Sequence, residues 1–188
     1  MAKTTKLNDK VKIRGIRRRW LLNSVSIVAL IIVLAVGAFT SSLINYYYVN
    51  TADDLKKEAS STANGFRLYT RSDYRTAAQQ TVSSYEEKGR LELQFLDTAG
   101  AVLYSGNDLT AGSMPGTPDI QRAMESRTAS SWQGRDPSTG ERILAASCPV
   151  IYQGETVGVI RYVTSLSGID RQFITSMVII VTIALAIF

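Results

Sequence analysis

Arg161 lies inside the run Thr156 to Thr164, TVGVIRYVT, where every other side chain is apolar, small or uncharged. A guanidinium in such a row needs an acceptor. Three outcomes are open: it binds an anionic group of a ligand, it pairs with a carboxylate such as Glu92, or it snorkels to solvent. Trp132, Arg135, Arg142 and Tyr104 are the side chains that could join Arg161 in a ligand pocket. Strands and the loop Ser105–Pro118 would line that pocket. A solvated edge explains Arg135 and Arg142 equally well. The chain has no histidine and a single cysteine, Cys148. The common zinc sets and the Ser-His and Cys-His nucleophile pairs are therefore excluded, and no internal disulfide can form. Cys148 reads as a small buried hydrophobe, with a redox sensor or an intermolecular disulfide as the alternative. Asp53-Asp54 and Glu86-Glu87 either hold a divalent cation weakly or face solvent. No catalytic residue, metal or cofactor is expected.

The elements that must position these residues follow from two apolar stretches and the segment between them. Leu21 to Ile44 contains no charged residue. As a helix it is roughly 36 Å long, enough to cross a hydrocarbon core of ~30 Å. Lys3, Lys6, Lys10, Lys12, Arg14, Arg17, Arg18 and Arg19 precede it, opposed only by Asp9. Basic residues next to a span stay on the cytoplasmic side, and Trp20 and Tyr46 to Tyr48 fit the two aromatic belts. Gly37 and Ser41 form a small-xxx-small pair that would let two helices approach. Phe173 to Phe188 is also uncharged, about 24 Å as a helix, and reads as the start of a second span. The expected organisation is a cytoplasmic basic tail at 1–20, a first transmembrane helix at 21–44, an extracytoplasmic domain at 45–172 and the beginning of a second transmembrane helix at 173–188. The expected location is the cell membrane, multi-pass. Asn45 to Gln172 carries 13 basic and 15 acidic residues, a net of −2, whereas the whole chain is +5, leaving +7 on the N-terminal tail. The basic balance is thus a topological signal and not a nucleic-acid footprint.

Between Val49 and about Lys88, apolar or small residues recur every three or four positions, as on one helix face. Asn64-Gly65 and Arg71-Ser72-Asp73 are points where that helix bends or restarts, and Gly89 would end it. Leu91 to Asp97 and Ala101 to Tyr104 are two strands joined by a turn, with Gly100 placed for positive φ. Thr117 and Pro118 open a short helix, and Ser130 to Arg135 is a third strand. Arg142 to Ile151 and Thr156 to Thr164 form a hairpin around Gln153-Gly154. Uniform alternation would place Tyr152 opposite Glu155 and Ala146 opposite Arg161, in a row with Cys148 and Val159. The pattern is α+β, a five-stranded antiparallel sheet with a long N-terminal helix.

Ala145-Ala-Ser-Cys-Pro-Val150, the Gln153-Gly-Glu155 turn, Val157-Gly-Val-Ile-Arg161 running into Ser165-Leu-Ser-Gly-Ile-Asp170, and the Asp97–Gly100 hairpin carry a resemblance. From about Trp20 onward the chain resembles the N-terminal half of a bacterial transmembrane sensor histidine kinase. Its single extracytoplasmic domain is PAS-like (Cache-type), closest to the phosphate-regulon type. The resemblance implies a sensing role, a homodimer, an extracellular ligand or partner protein, and a cytoplasmic kinase module outside this chain. Chemoreceptors and cyclic-di-GMP enzymes carry the same module. A chain without histidine cannot be phosphorylated on one, so no enzyme activity is expected of this part.

Overall fold

The computed structural model describes residues 3–69, 71–85, 91–106 and 111–186. The chain divides into two compact units, Met1–Asn45 with Gln172–Phe188, and Tyr46–Arg171. The first is helical and apolar at its surface: Ile27, Leu34 and Phe39 are each more than half exposed. Helix α1 spans Lys3–Gly65. Within it, the run from Asn23 contains the one stretch among the described residues long and apolar enough to cross a membrane. Helix α4, Ser167–Ala186, contains a shorter apolar stretch, Phe173–Thr182.

The second unit is α+β. After α1 comes a 3-10 turn, Phe66–Leu68, and then helix α2, Arg71–Ser84. The break after Asn64-Gly65 falls where the sequence places it. Glu86-Glu87 and Gly89 lie outside the described residues. Strands β1 (Glu92–Leu96) and β2 (Val102–Ser105) form the first hairpin. Gly100 holds its turn at φ +84°, and Asp97 Oδ1 accepts from the backbone N–H groups of Ala99 and Ala101. Helix α3 (Pro118–Ser126) precedes β3 (Ser130–Arg135), β4 (Arg142–Tyr152) and β5 (Glu155–Ser165). The sheet is antiparallel with order β2-β1-β5-β4-β3. This is the five-stranded PAS-like arrangement.

Both faces of the sheet are covered, as the apolar composition of β4 and β5 requires. Leu55, Ala59, Ala63 and Phe66 from α1 and the turn, with Tyr74, Ala78 and Val82 from α2, pack on one face against Leu93, Phe95, Ala146, Ile160 and Tyr162. On the other face Ile120 of α3 meets Leu96, Val102 and Val159. Tyr74 fixes α2 to the sheet. Its buried hydroxyl donates toward the carbonyls of Leu96 and Val159, both at 3.1 Å. The ring lies over Gly158, where a Cβ would come within 2.4 Å of ring carbons.

The β4–β5 register departs from uniform alternation. Tyr152 does pair with Glu155, and Gln153 and Gly154 both adopt positive φ, as a primed turn requires. Beyond the turn, Ile151 pairs with Thr156 but Val150 pairs with Gly158. Val157 is the extra residue of a β-bulge, and such an insertion shifts everything after it by one. Arg161 therefore pairs with Ser147, not Ala146, and shares the α3 face with Val159. Cys148 is on the opposite face, buried, with its thiol pushed up by desolvation.

Gly158→Ala is expected to lower unfolding stability by about 1–3 kcal/mol through overpacking against Tyr74. Urea denaturation measures it. A Gly158→Ala variant as stable as the parent would mean that the ring does not occupy that space.

Candidate functional site

Arg161 is wholly buried and is the bulkiest such side chain among the described residues. Each guanidinium nitrogen has one side-chain acceptor. Nε donates to Asp119 Oδ2 at 2.9 Å, Nη1 to Gln94 Oε1 at 2.8 Å, and Nη2 to Thr117 Oγ1 at 2.9 Å. Ser147 Oγ also donates to Asp119 Oδ2, at 2.7 Å. The charge partner is thus Asp119 of α3. Glu92 is reached only through Gln94, whose amide N–H group donates to Glu92 Oε1 at 2.7 Å; Ser105 donates to the same oxygen at 2.6 Å.

Local structure explains how these groups meet. β1 and β5 pair Gln94 with Arg161, and β4 pairs Ser147 with it, so three of the polar groups form one cross-strand row. Thr117 is the N-cap residue of α3, with extended backbone and no side-chain bond to the helix. An N-cap hydroxyl ordinarily serves the helix's own N–H groups; here it serves the arginine. Asp119 sits in the first turn of α3, where the helix dipole favours a carboxylate. Its Oδ1 is buried with no hydrogen-bond partner among the described residues, as is Ser113 Oγ nearby in the chain. A recess of about 180 Å³ adjoins this region, lined by Gly100, Met114, Thr117, Ile120, Gln121 and Met124 among others. Thr117 belongs to both the recess and the arginine site.

The other four sequence candidates do not converge on Arg161. Trp132 shares the α3 face but packs on Ile143, Ala145 and Val163, with its ring folded over Gly134. Tyr104 packs into the opposite core. Arg135 is exposed and donates to the Gly140 carbonyl across the β3–β4 turn. Arg142 points its guanidinium at the Tyr48 ring of α1, 5.9 Å from the centroid. Its carbonyl accepts from Leu166 N–H, beside the start of α4. Next to it, Glu141 accepts from Ser165 and Ser167, and these bonds hold its carboxyl below the usual glutamate range. Residues 141 and 142 thus touch both helices that leave the sheet domain.

Composition singles out Arg161 but not Asp119, Thr117 or Gln94. Their only sequence signal was Thr117-Pro118-Asp119, which reads as a helix start. The acidic pair Asp53-Asp54 is engaged with Lys56 and Lys57 at 2.7 and 3.4 Å. Among the described residues no group of acidic or cysteine side chains has metal-site geometry.

No family model and no curated protein matches the chain. Solved structures do. The ligand-binding domain of the Pseudomonas aeruginosa PAO1 amino acid chemoreceptor PctC, in complex with GABA, aligns over 70% of this chain and 58% of its own, at 21% identity and TM-score 0.48. The E. coli DcuS sensor domain aligns over 65% of this chain and 96% of its own, at 16% identity and TM-score 0.45. The V. cholerae histidine kinase DctB sensor domain aligns over 71% and 60%, at 17% identity and TM-score 0.44. The chain thus spans somewhat under two thirds of the PctC and DctB domains. The fold class rests on the strand order itself.

Removing one partner of a buried pair strands the other charge. Asp119→Ala is expected to cost about 3–5 kcal/mol, whereas Arg161→Met with Asp119→Leu together should be close to neutral. Denaturation of Arg161→Met, Asp119→Leu and their double variant gives the coupling energy, and Asp119→Ala alone gives the truncation cost. An Asp119→Ala loss below about 0.5 kcal/mol would show that the pair does not hold α3.

Proposed function

We propose that Tyr46–Arg171 is the extracytoplasmic sensor domain of a bacterial membrane receptor. We assign the receptor to the two-component sensor histidine kinases, of phosphate-regulon type, with the kinase outside this chain. The observation that carries the sensing role is the buried Arg161 network. It fastens α3 to a sheet whose other face is covered by α1 and α2. A polar fastening between a helix and a sheet has two discrete arrangements, docked and released, which is what a switch needs. Glu141 and Arg142 support the same reading, because the β3–β4 hairpin contacts both α1, at Tyr48, and the first turn of α4. A shift of an ångström or two in the sheet would reach both helices. The basic tail, the apolar run after Asn23 and the second apolar stretch support a two-span receptor with residues 45–172 outside the cell.

The second reading is an ectodomain that binds a protein or cell-wall partner and no small molecule. The filled sheet–α3 interior favours it. Arg161, Asp119, Leu96 and Val159 are all at 0% exposure.

Thermal melts of the chain against anions, amino acids and metal ions separate the two. A sensed ligand at 100 times its dissociation constant should add about 2.7 kcal/mol of stability. Flat melts throughout favour the partner reading. The receptor is proposed to act as a homodimer with the α1 stalks adjacent. Single cysteines from Ala52 to Phe66 should then cross-link with helical periodicity, and no cross-linking at any position would remove the dimer.

A further inference from the structure

A cavity of about 550 Å³ lies on the α1 and α2 side of the sheet, away from Arg161. Its size falls within the range of about 300–1,000 Å³ usual for small-molecule sites. One wall is a stripe of α1 formed by Tyr47, Thr51, Asp54, Leu55 and Glu58. Their spacing of three and four residues puts them on a single helix face. The opposite wall includes Tyr85, which follows α2, and Leu91, which precedes β1. Every one of these residues belongs to the unit Tyr46–Arg171.

Two carboxylates line the cavity, and among the described residues no basic side chain does. Lys57 meets Asp54 at 3.4 Å, with both side chains about three-quarters exposed. A pair so open is weak, and a cation in the cavity can compete for Asp54. Glu58 has no ion pair among the described residues. Two aromatic rings complete the walls. Tyr85 is steadied by an edge contact with Tyr162, their centroids 6.1 Å apart, and Tyr162 Oη shares a hydrogen bond of 3.0 Å with Thr62 of α1. Tyr47 makes a similar edge contact with Tyr48, whose own ring already faces the Arg142 guanidinium. Tyrosine rings attract cations, and quaternary ammonium groups most characteristically. A hydrated metal ion gains little from such rings, whereas an organic ammonium uses both the rings and the carboxylates.

We propose that this cavity binds an organic ammonium ion. The positive centre sits against Asp54 and Glu58, and its carbon groups lie against Tyr47 and Tyr85, with Leu55 and Leu91 as the apolar floor. The proposal does not rest on the sensor reading; it needs only the fold of Tyr46–Arg171. The occupant touches α1 and the entry to β1 together, so binding ties that helix to the sheet. Free amines and the headgroups of amine-bearing phospholipids share this chemistry.

The test is calorimetric titration of the whole chain in maltoside micelles, which carry no ammonium group. Choline is the probe, and its uncharged isostere 3,3-dimethylbutan-1-ol is the control, at matched ionic strength. Choline should bind saturably and the alcohol should not. Tyr47 and Glu58 are exposed side chains, so their variants should keep the fold. Tyr47→Leu should weaken choline about 3–30-fold, and Glu58→Gln should weaken it too. Lys57→Gln, which releases Asp54, should bind choline at least as tightly as the parent. No saturable choline binding, equal binding of the alcohol, or an affinity unchanged in both Tyr47→Leu and Glu58→Gln would overturn the site. Nanodiscs separate the two sources. Weaker choline binding in phosphatidylcholine discs than in discs of an uncharged glycolipid supports occupation by lipid headgroups; equal affinity supports a free amine. Failure of the site leaves the receptor reading standing, because that reading is carried by the Arg161 network on the other face.

Discussion

One ion pair governs how this sheet domain is put together. A charged arginine in the middle of a central strand has no tolerable state except a fully accompanied one, because an unpaired buried charge costs several kcal/mol. That requirement reaches into four segments. It draws the Asp119 carboxylate in from α3, takes the Thr117 hydroxyl from its capping duty, and recruits Gln94 and Ser147 from the neighbouring strands. The other face makes no such demand. There Phe66, Tyr74, Phe95 and their neighbours are joined by ring contacts at 5–6 Å, and α2 is held by apolar burial and a single hydroxyl. The two faces therefore differ in kind. One is a conventional core whose contacts weaken gradually. The other is fastened by a few directional bonds that are either made or lost.

Much of the architecture was legible because it depends on local chemistry. Gly100 and the Gln153-Gly154 pair mark turns, Asn64-Gly65 marks the end of α1, and Thr117-Pro118 marks the start of α3. The two faces of β4 and β5 are both largely apolar, which required cover on both, and both are covered. Arg161 stood out on composition alone. Its surroundings did not, for a definite reason. Period-two counting from the Gln153-Gly154 turn is correct only until the first bulge, and Val157 has nothing in its identity to announce one. A single unopposed residue moved Arg161 from the side of Cys148 to the side of α3. The pairing with Asp119 depends on how a loop and a helix return across the sheet, over 42 positions of sequence, which no local pattern encodes. Trp132, Tyr104, Arg135 and Arg142 were grouped with Arg161 by chemical type. The strand register distributes them over both faces and the turns.

The start of β4 has a second role in the assembly. Arg142 is drawn toward an aromatic ring on α1, while the preceding glutamate and the Arg142 carbonyl engage the residues that open α4. Neighbouring residues at the start of one strand thus serve two different helices. Individually these are exposed contacts of small energy. Their value is geometric, because they give the start of β4 a fixed position relative to the Tyr48 turn of α1 and the first turn of α4.

The bulge at Val157 also sets where this strand can tolerate the loss of a codon. Val157 has no partner of its own on β4, so a hairpin without it would alternate regularly and still hold Arg161 opposite Ser147. Loss of a paired residue beyond it, such as Val159, would slip the distal strand by one position, turn the arginine toward the aromatic core and bring Tyr162 opposite Ser147. The irregular position is thus the expendable one, and the regular stretch after it is where length is held fixed.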